Sequence, residues 1–192
     1  MTRPYTLKRR AEQQAQTRQR IVEAAVALHS SVGPAQTTVS MIAERAGVQR
    51  HTFYAHFPDE RSLFRACSGQ VAERDPLPDA GPWQAIEDHR ERLQVGLRAI
   101  YGWYERNAEL LACVLRDAQI HALTRETATA QFGPYLASYR AVLGARLGAK
   151  QRVMLELALS YFTWRTLVRE TGLTPDEAAG TMIEAIAGAR DS

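Results

Sequence analysis

The chain of 192 residues contains no apolar run approaching the roughly eighteen residues of a membrane-spanning helix, so no membrane partner is expected. Its first ten residues, Met-Thr-Arg-Pro-Tyr-Thr-Leu-Lys-Arg-Arg, put charge where a secretory signal puts an apolar core, and the expected location is cytoplasmic. Cysteine is scarce. Cys67 and Cys113 lie far apart and match no metal or redox spacing, so they read as reduced core residues, with a thiol sensor as the other reading. Lysine is nearly absent, and arginine carries almost all of the positive charge.

Catalytic signatures are also missing. There is no phosphate-cradling glycine loop, no Gly-x-Ser-x-Gly and no Glu-x-x-His pair. Asp117 and His121, four apart, could share a metal, but two groups are short of a ligand set and a surface contact is the simpler reading. Glu87, Asp88 and Glu91 read as the wet face of a helix. No enzyme and no cofactor are expected. No segment shows the period-two alternation of a half-buried strand, so the chain reads as all-α, with about nine helices.

What is present is helical periodicity and one compact motif. Ile21, Ala24, Ala25 and Leu28 recur at helical spacing and predict a helix from about Gln13 to Ser31, stopped by Gly33-Pro34. Thr37 and Thr38 follow, where a hydroxyl caps a helix N-terminus and leaves N–H groups for a phosphate. From Met41 to Phe57 the pattern is that of two short helices and a tight turn. Ala43 is small enough for close packing, Gly47 supplies a positive φ at the turn, and Ile42, Val48 and Phe53 fall on the buried side. The remaining face carries Gln49, Arg50, His51, Thr52, Tyr54 and His56, all hydrogen-bonding side chains suited to base edges and phosphates.

Charge is distributed to match. Formal net charge is +3, but residues 1–20 hold six basic groups against one acidic, while residues 76–192 hold 13 basic against 14 acidic. Phosphate contact supplies much of the affinity for DNA, so the basic end belongs beside the motif. The arm, residues 1–16, either touches DNA or is a solvated tail. A fourth helix follows Pro58-Asp59-Glu60 to about Glu73, and residues 74–82, with three prolines and a glycine, read as the boundary between modules.

The order Ala-Gly-Val-x-x-x-Thr-x-Tyr-x-His-Phe, after an amphipathic helix near the start of a chain of this size, resembles the TetR family of bacterial transcription regulators. The resemblance covers roughly residues 17–73 and implies a three-helix DNA-binding module at residues 17–75, with the motif at about 40–59. Residues 82–192 would then form a ligand-binding and dimerisation bundle. The implied function is a ligand-responsive regulator, a repressor that binds a palindromic operator in double-stranded DNA as a homodimer. A helical adaptor, or a metal or enzyme bundle without sequence-specific DNA binding, is the alternative. The family usually carries a lysine shortly after His-Phe that meets the DNA backbone. Here stand Glu60 and Arg61, so either Arg61 takes that role or the contact is missing.

In the second half, a helix is expected from Pro82 to about Arg106, a short one at 110–115, another whose regular part is 134–147, a strongly apolar one from Met154 to Val168, and a last one from Thr174-Pro175-Asp176-Glu177 to about Ala189. Aromatic residues are dense here. Core filling is one reading. The other is a pocket for an unknown small-molecule effector, lined by Trp103, Tyr104, Tyr135, Tyr139, Phe162 and Arg165. Leu157, Trp164, Leu167, Val168, Met182 and Ile186 are more apolar than one core contact requires, and the resemblance implies that these two last helices pair with their copies; packing only inward is the other reading.

Overall fold

A computed structural model describes the chain from residue 3 to residue 189, and its side chains from residue 8. Among the described residues there are ten α-helices and no strand. They form two compact units, Met1–Arg74 with Ala112–Ala128, and Asp75–Leu111 with Thr129–Ser192. Residues 112–128, assigned from sequence to the second module, therefore pack with the first.

The first unit holds α1 (Arg3–Ser31), α2 (Val39–Ala46), α3 (Arg50–His56) and α4 (Glu60–Arg74), with the end of α6 (Ala108–Asp117) and the start of α7 (Ala122–Leu143). α1 begins ten residues earlier than its apolar pattern suggests. Residues 8–20 are almost wholly exposed, and the helix is carried there by good helix formers (Arg, Gln, Ala, Glu) rather than by burial. The rest of α1 buries Ile21, Val22, Ala25 and Leu28 against Ile42 and Ala46 of α2, Phe53, Phe57, and Leu63 and Cys67 of α4. Each large side chain fully buried this way contributes roughly 1.5–3 kcal/mol relative to exposure.

The second unit is built on α5 (His89–Arg106), which packs against α10 (Pro175–Gly188); α10 also packs against α8 (Ala149–Ala158). α5 starts seven residues later than Pro82. Gly81–Ala85 form a 3-10 turn, and Asp88 caps α5 by accepting the Glu91 N–H at 2.7 Å. Asp88 is thus the cap of α5, and it is exposed like Glu87 and Glu91. α7 runs unbroken through Gly133-Pro134. The carbonyl that loses its partner there belongs to exposed Ala130, where water replaces the bond cheaply. The apolar stretch 154–168 is not one helix. α8 ends at Ala158, Ser160 starts α9 (Tyr161–Arg165), and a π-helical turn, Thr166–Glu170, follows. α10 starts with the expected cap, a reciprocal pair in which Thr174 Oγ1 accepts the Glu177 N–H and the Glu177 carboxylate accepts the Thr174 N–H at 2.8 Å.

Candidate nucleic-acid interface

The turn between α2 and α3 follows from two residues. Gly47 has φ 65° and ψ 41°, a left-handed conformation that costs other L-residues about 1–2 kcal/mol. Thr38 caps α2, its hydroxyl accepting the Met41 N–H at 3.3 Å. Thr37 does not cap α2; its hydroxyl donates to the Gly33 carbonyl at 2.7 Å, and its N–H closes the preceding 3-10 turn on the Pro34 carbonyl.

α3 is locked from behind by Phe53 and by Phe57 just beyond its end, which are buried with ring centroids 5.9 Å apart. Its other side is free. Gln49 is the N-cap residue but makes no side-chain capping bond, and Gln49, Arg50 and His51 are exposed. Thr52 Oγ1 lies 3.3 Å from His51 Nε2. Tyr54 is exposed and stands edge-on against Phe53 at 5.5 Å, so its ring is held while its phenol stays in solvent. His56 is half-buried. The six polar residues singled out from sequence therefore share one short helix and the residue before it, and a buried aromatic pair fixes their direction.

Arg61 is placed differently. It forms a two-pronged ion pair with Glu126 of α7, one arm at 2.9 Å, which raises the Arg61 pKa and lowers that of Glu126. A phosphate contact by Arg61 would have to displace Glu126. Sequence reasoning also missed part of α1. Arg18 lies over the Phe57 ring at 4.8 Å, and Ala11, Gln14, Ala15 and Arg18 line an open recess of about 400 Å³ with Ala55 and His56. Arg10, Gln14 and Arg18, four residues apart, share one face of α1 with Lys8 and Arg9 nearby. That spacing, with no Pro or Gly between Thr6 and Ser31, was the available signal.

Behind the motif, Asp117 and His121 do not form a metal pair. Asp117 is 1% exposed, contrary to a surface contact, and its oxygens are taken by the Ala35 N–H at 2.9 Å and Arg116 Nε at 2.7 Å. Burial pushes this carboxyl up, but the Arg116 and Ala35 hydrogen bonds, with the Arg116 and His121 charges, outweigh it and hold it below the usual carboxylate range. His121 Nδ1 faces the Thr124 hydroxyl at 2.7 Å. Burial pushes the Cys67 thiol up to about 12, against the pull of Arg18, which gives it no thiolate to sense with.

In the second unit the aromatic residues pack as a core. Trp103 Nε1 donates to the Asp75 carbonyl at 2.9 Å, and the hydroxyls of Tyr104 and Tyr139 donate to the carbonyls of Leu159 and Pro78 at 2.6 and 2.7 Å. The expectation that polar ring ends would leave gaps is revised, because main-chain carbonyls take them. Tyr135 and Phe162 are exposed, and Arg165 pairs with Glu170 at 3.1 Å at the surface. The interface expectation is revised as well. Trp164, Met182 and Ile186 are buried in the unit's own core, and Leu167 and Val168 are half-buried. Leu157 is 48% exposed, with Val153 of α8 beside it at 63%.

An exposed polar recognition helix held by a buried aromatic pair, with a positive-φ glycine at the preceding turn, defines a helix-turn-helix DNA-binding protein. Residues 21–67 match the family described as bacterial regulatory proteins, tetR family. The HTH-type transcriptional regulator AcrR of Shigella flexneri is 44% identical over 57 residues, a match spanning 29% of this chain and only 26% of that protein. Among solved structures, a TetR-like transcriptional regulator from Rhodococcus sp. RHA1 aligns with a TM-score of 0.64 at 19% identity, over 89% of this chain and 93% of that one. The transcriptional regulator FadR from Bacillus subtilis, in complex with stearoyl-CoA, aligns with a TM-score of 0.61 at 19% identity, over 90% and 99%. Residues 21–67 thus carry the match to the tetR family of bacterial regulatory proteins, and most of the chain's length shares the fold of these two regulators.

Proposed function

We propose that the protein is a transcriptional repressor that binds a palindromic operator as a homodimer and leaves it when a small molecule binds the second unit. The observation that carries the DNA reading is the exposed row Arg50, His51 and Tyr54 on α3, with exposed Gln49 just before it and half-buried Thr52 within it, backed by buried Phe53 and Phe57. A fork such as that of Arg50 pairs with a guanine edge, while a phenol such as that of Tyr54 meets phosphate. Dimerisation is supported by Val153 and Leu157, exposed one turn apart on α8. Two recognition helices set roughly 34–36 Å apart would enter successive major grooves. The stearoyl-CoA bound by FadR supports a small-molecule site in the second unit. A ligand that prefers a form with different helix spacing would release DNA, and only by its differential affinity for the two forms. The adaptor and metal-bundle readings are disfavoured by the free polar face of α3 and by the prior engagement of Asp117 and His121.

Sequencing the genomic DNA that co-purifies with the protein is the direct test. One enriched palindrome is expected, and a random distribution of fragments would overturn the reading. On that palindrome Arg50→Ala should lose roughly 1–3 kcal/mol more than on random DNA, whereas Tyr54→Phe should weaken both alike.

A further inference from the structure

Two polar groups in the core of the second unit have no protein partner. The indole Nε1–H of Trp164 is buried and unpaired in a side chain that is 0% exposed. The amide oxygen of Asn107, a residue 4% exposed, is also buried and unpaired, although its Nδ2 donates to Asp75 at 2.8 Å and to the Trp103 carbonyl at 3.0 Å. Leaving such a group unsatisfied is costly enough that native cores rarely do it, and each instance calls for an explanation.

The two orphans belong to one aromatic cluster. Tyr161 connects them: its hydroxyl donates to the carbonyl of Ala108, next to Asn107, at 2.9 Å, and its ring lies 5.4 Å from that of Trp164. Tyr104 stands edge-on to both rings, at 5.7 and 6.0 Å. Phe162, exposed, abuts Tyr161 at 5.7 Å. The π-helical turn after α9, Thr166–Glu170, has no buried residue, and its Arg169 lies over the Trp164 ring at 5.6 Å. Such turns are frequently found at functional sites.

We propose that this cluster is the effector site, and that it takes a planar aromatic compound carrying a hydrogen-bond acceptor for Trp164 and a donor for Asn107. The inference rests on the ligand-released repressor proposed above. Flat rings meet flat rings at stacking or edge-on distances, which selects a planar ligand.

The test is calorimetry on the whole protein with 4-hydroxyacetophenone, which has both groups, p-cresol, which lacks the carbonyl, and toluene, which lacks both. Binding should weaken in that order. Trp164→Phe should weaken 4-hydroxyacetophenone about fivefold, one ordinary hydrogen bond, and leave p-cresol unchanged. A nuclear magnetic resonance titration of the wild type stands even if that variant misfolds: the Trp164 Nε1–H resonance should move downfield with 4-hydroxyacetophenone and not with toluene. No binding, equal binding of all three probes, or an Nε1–H held by an internal water that the probes do not displace would each overturn the site. Binding that leaves operator affinity unchanged would overturn its role as effector site and the repressor-release reading while the site stands. Release of the operator by an acyl thioester alone, unaffected by Trp164→Phe, would overturn the site and leave that reading standing.

Discussion

The Asp117 carboxylate at the end of α6 accepts the Ala35 N–H at 2.9 Å, across 82 positions of sequence. It thereby fastens α6 to the 3-10 turn, Pro34–Gln36, that leads into α2. Arg116 adds a bond from Nη2 to the Val32 carbonyl at 2.8 Å, and Cys113 Sγ lies 3.5 Å from the Ser30 carbonyl. Gly33, with φ 99°, leaves the room that the Arg116 and Asp117 side chains occupy. Asp117→Ala strands the Ala35 N–H and Arg116 and should cost roughly 1–3 kcal/mol, a fall of several degrees in Tm. Because this carboxyl sits below its ordinary range when folded, its stabilisation is present at neutral pH and is lost only as pH falls past that range. A wild-type-like Tm for Asp117→Ala at pH 7 would show the link to be idle.

His29 predicts acid sensitivity at a milder pH. Burial lowers its pKa to about 4, against the opposing pull of Asp117, and its ring lies 5.3 Å from Phe64. The unfolded chain takes up this proton near pH 6.5, the folded one only near 4, so stability falls as pH drops through that window. From pH 7 to pH 5 the loss should be about 2 kcal/mol. His29→Leu should abolish most of that difference whatever its effect at pH 7. An equal pH difference in the variant would place the sensitivity elsewhere.

The exposed basic face of α1 should act through phosphates. Replacing Lys8, Arg9 and Arg10 with Gln should reduce the slope of log affinity against log salt by roughly 0.9 for each phosphate that the variant no longer neutralises. The check is a titration of operator affinity from low to physiological salt. An unchanged slope would make this stretch of helix a bystander.

For assembly, the exposed pair on α8 is the place to look. Leu157→Glu should yield folded monomers in sedimentation at micromolar concentration, with Tm lowered only by the loss of dimer association, because Leu157 is already half in solvent. Ile186→Glu should instead unfold the second unit, since that side chain is fully buried. A stable dimer of Leu157→Glu would move the interface off α8.

The parts of this protein legible in its sequence are those decided within a few residues. Gly47 ends α2, Thr38 caps it, Thr174 and Glu177 start α10, and the alternation of buried Phe53 and Phe57 with exposed Arg50, His51 and Tyr54 sets the face of α3. Each is a local geometric or solvation choice that neighbours on the same turn make together.

Partner choice is different, because it depends on what the rest of the chain brings near. Arg61 carries the same charge whether it meets a phosphate or Glu126, and only the fold puts Glu126 beside it. Trp164, Met182 and Ile186 look as suited to a second copy as to their own core, and packing against α5 and α8 decides for the core. The pairing of residues 112–128 with the first unit rests on hydrogen bonds across about eighty residues, a separation at which helical periodicity carries no information. Sequence alone therefore determined the Gly47 turn, the caps at Thr38 and Thr174, and the exposed polar side of α3. Tertiary structure decided which polar groups are engaged and which, Trp164 Nε1 and Asn107 Oδ1 among them, stay without a protein partner, because satisfying a buried dipole requires a group delivered from elsewhere in the chain.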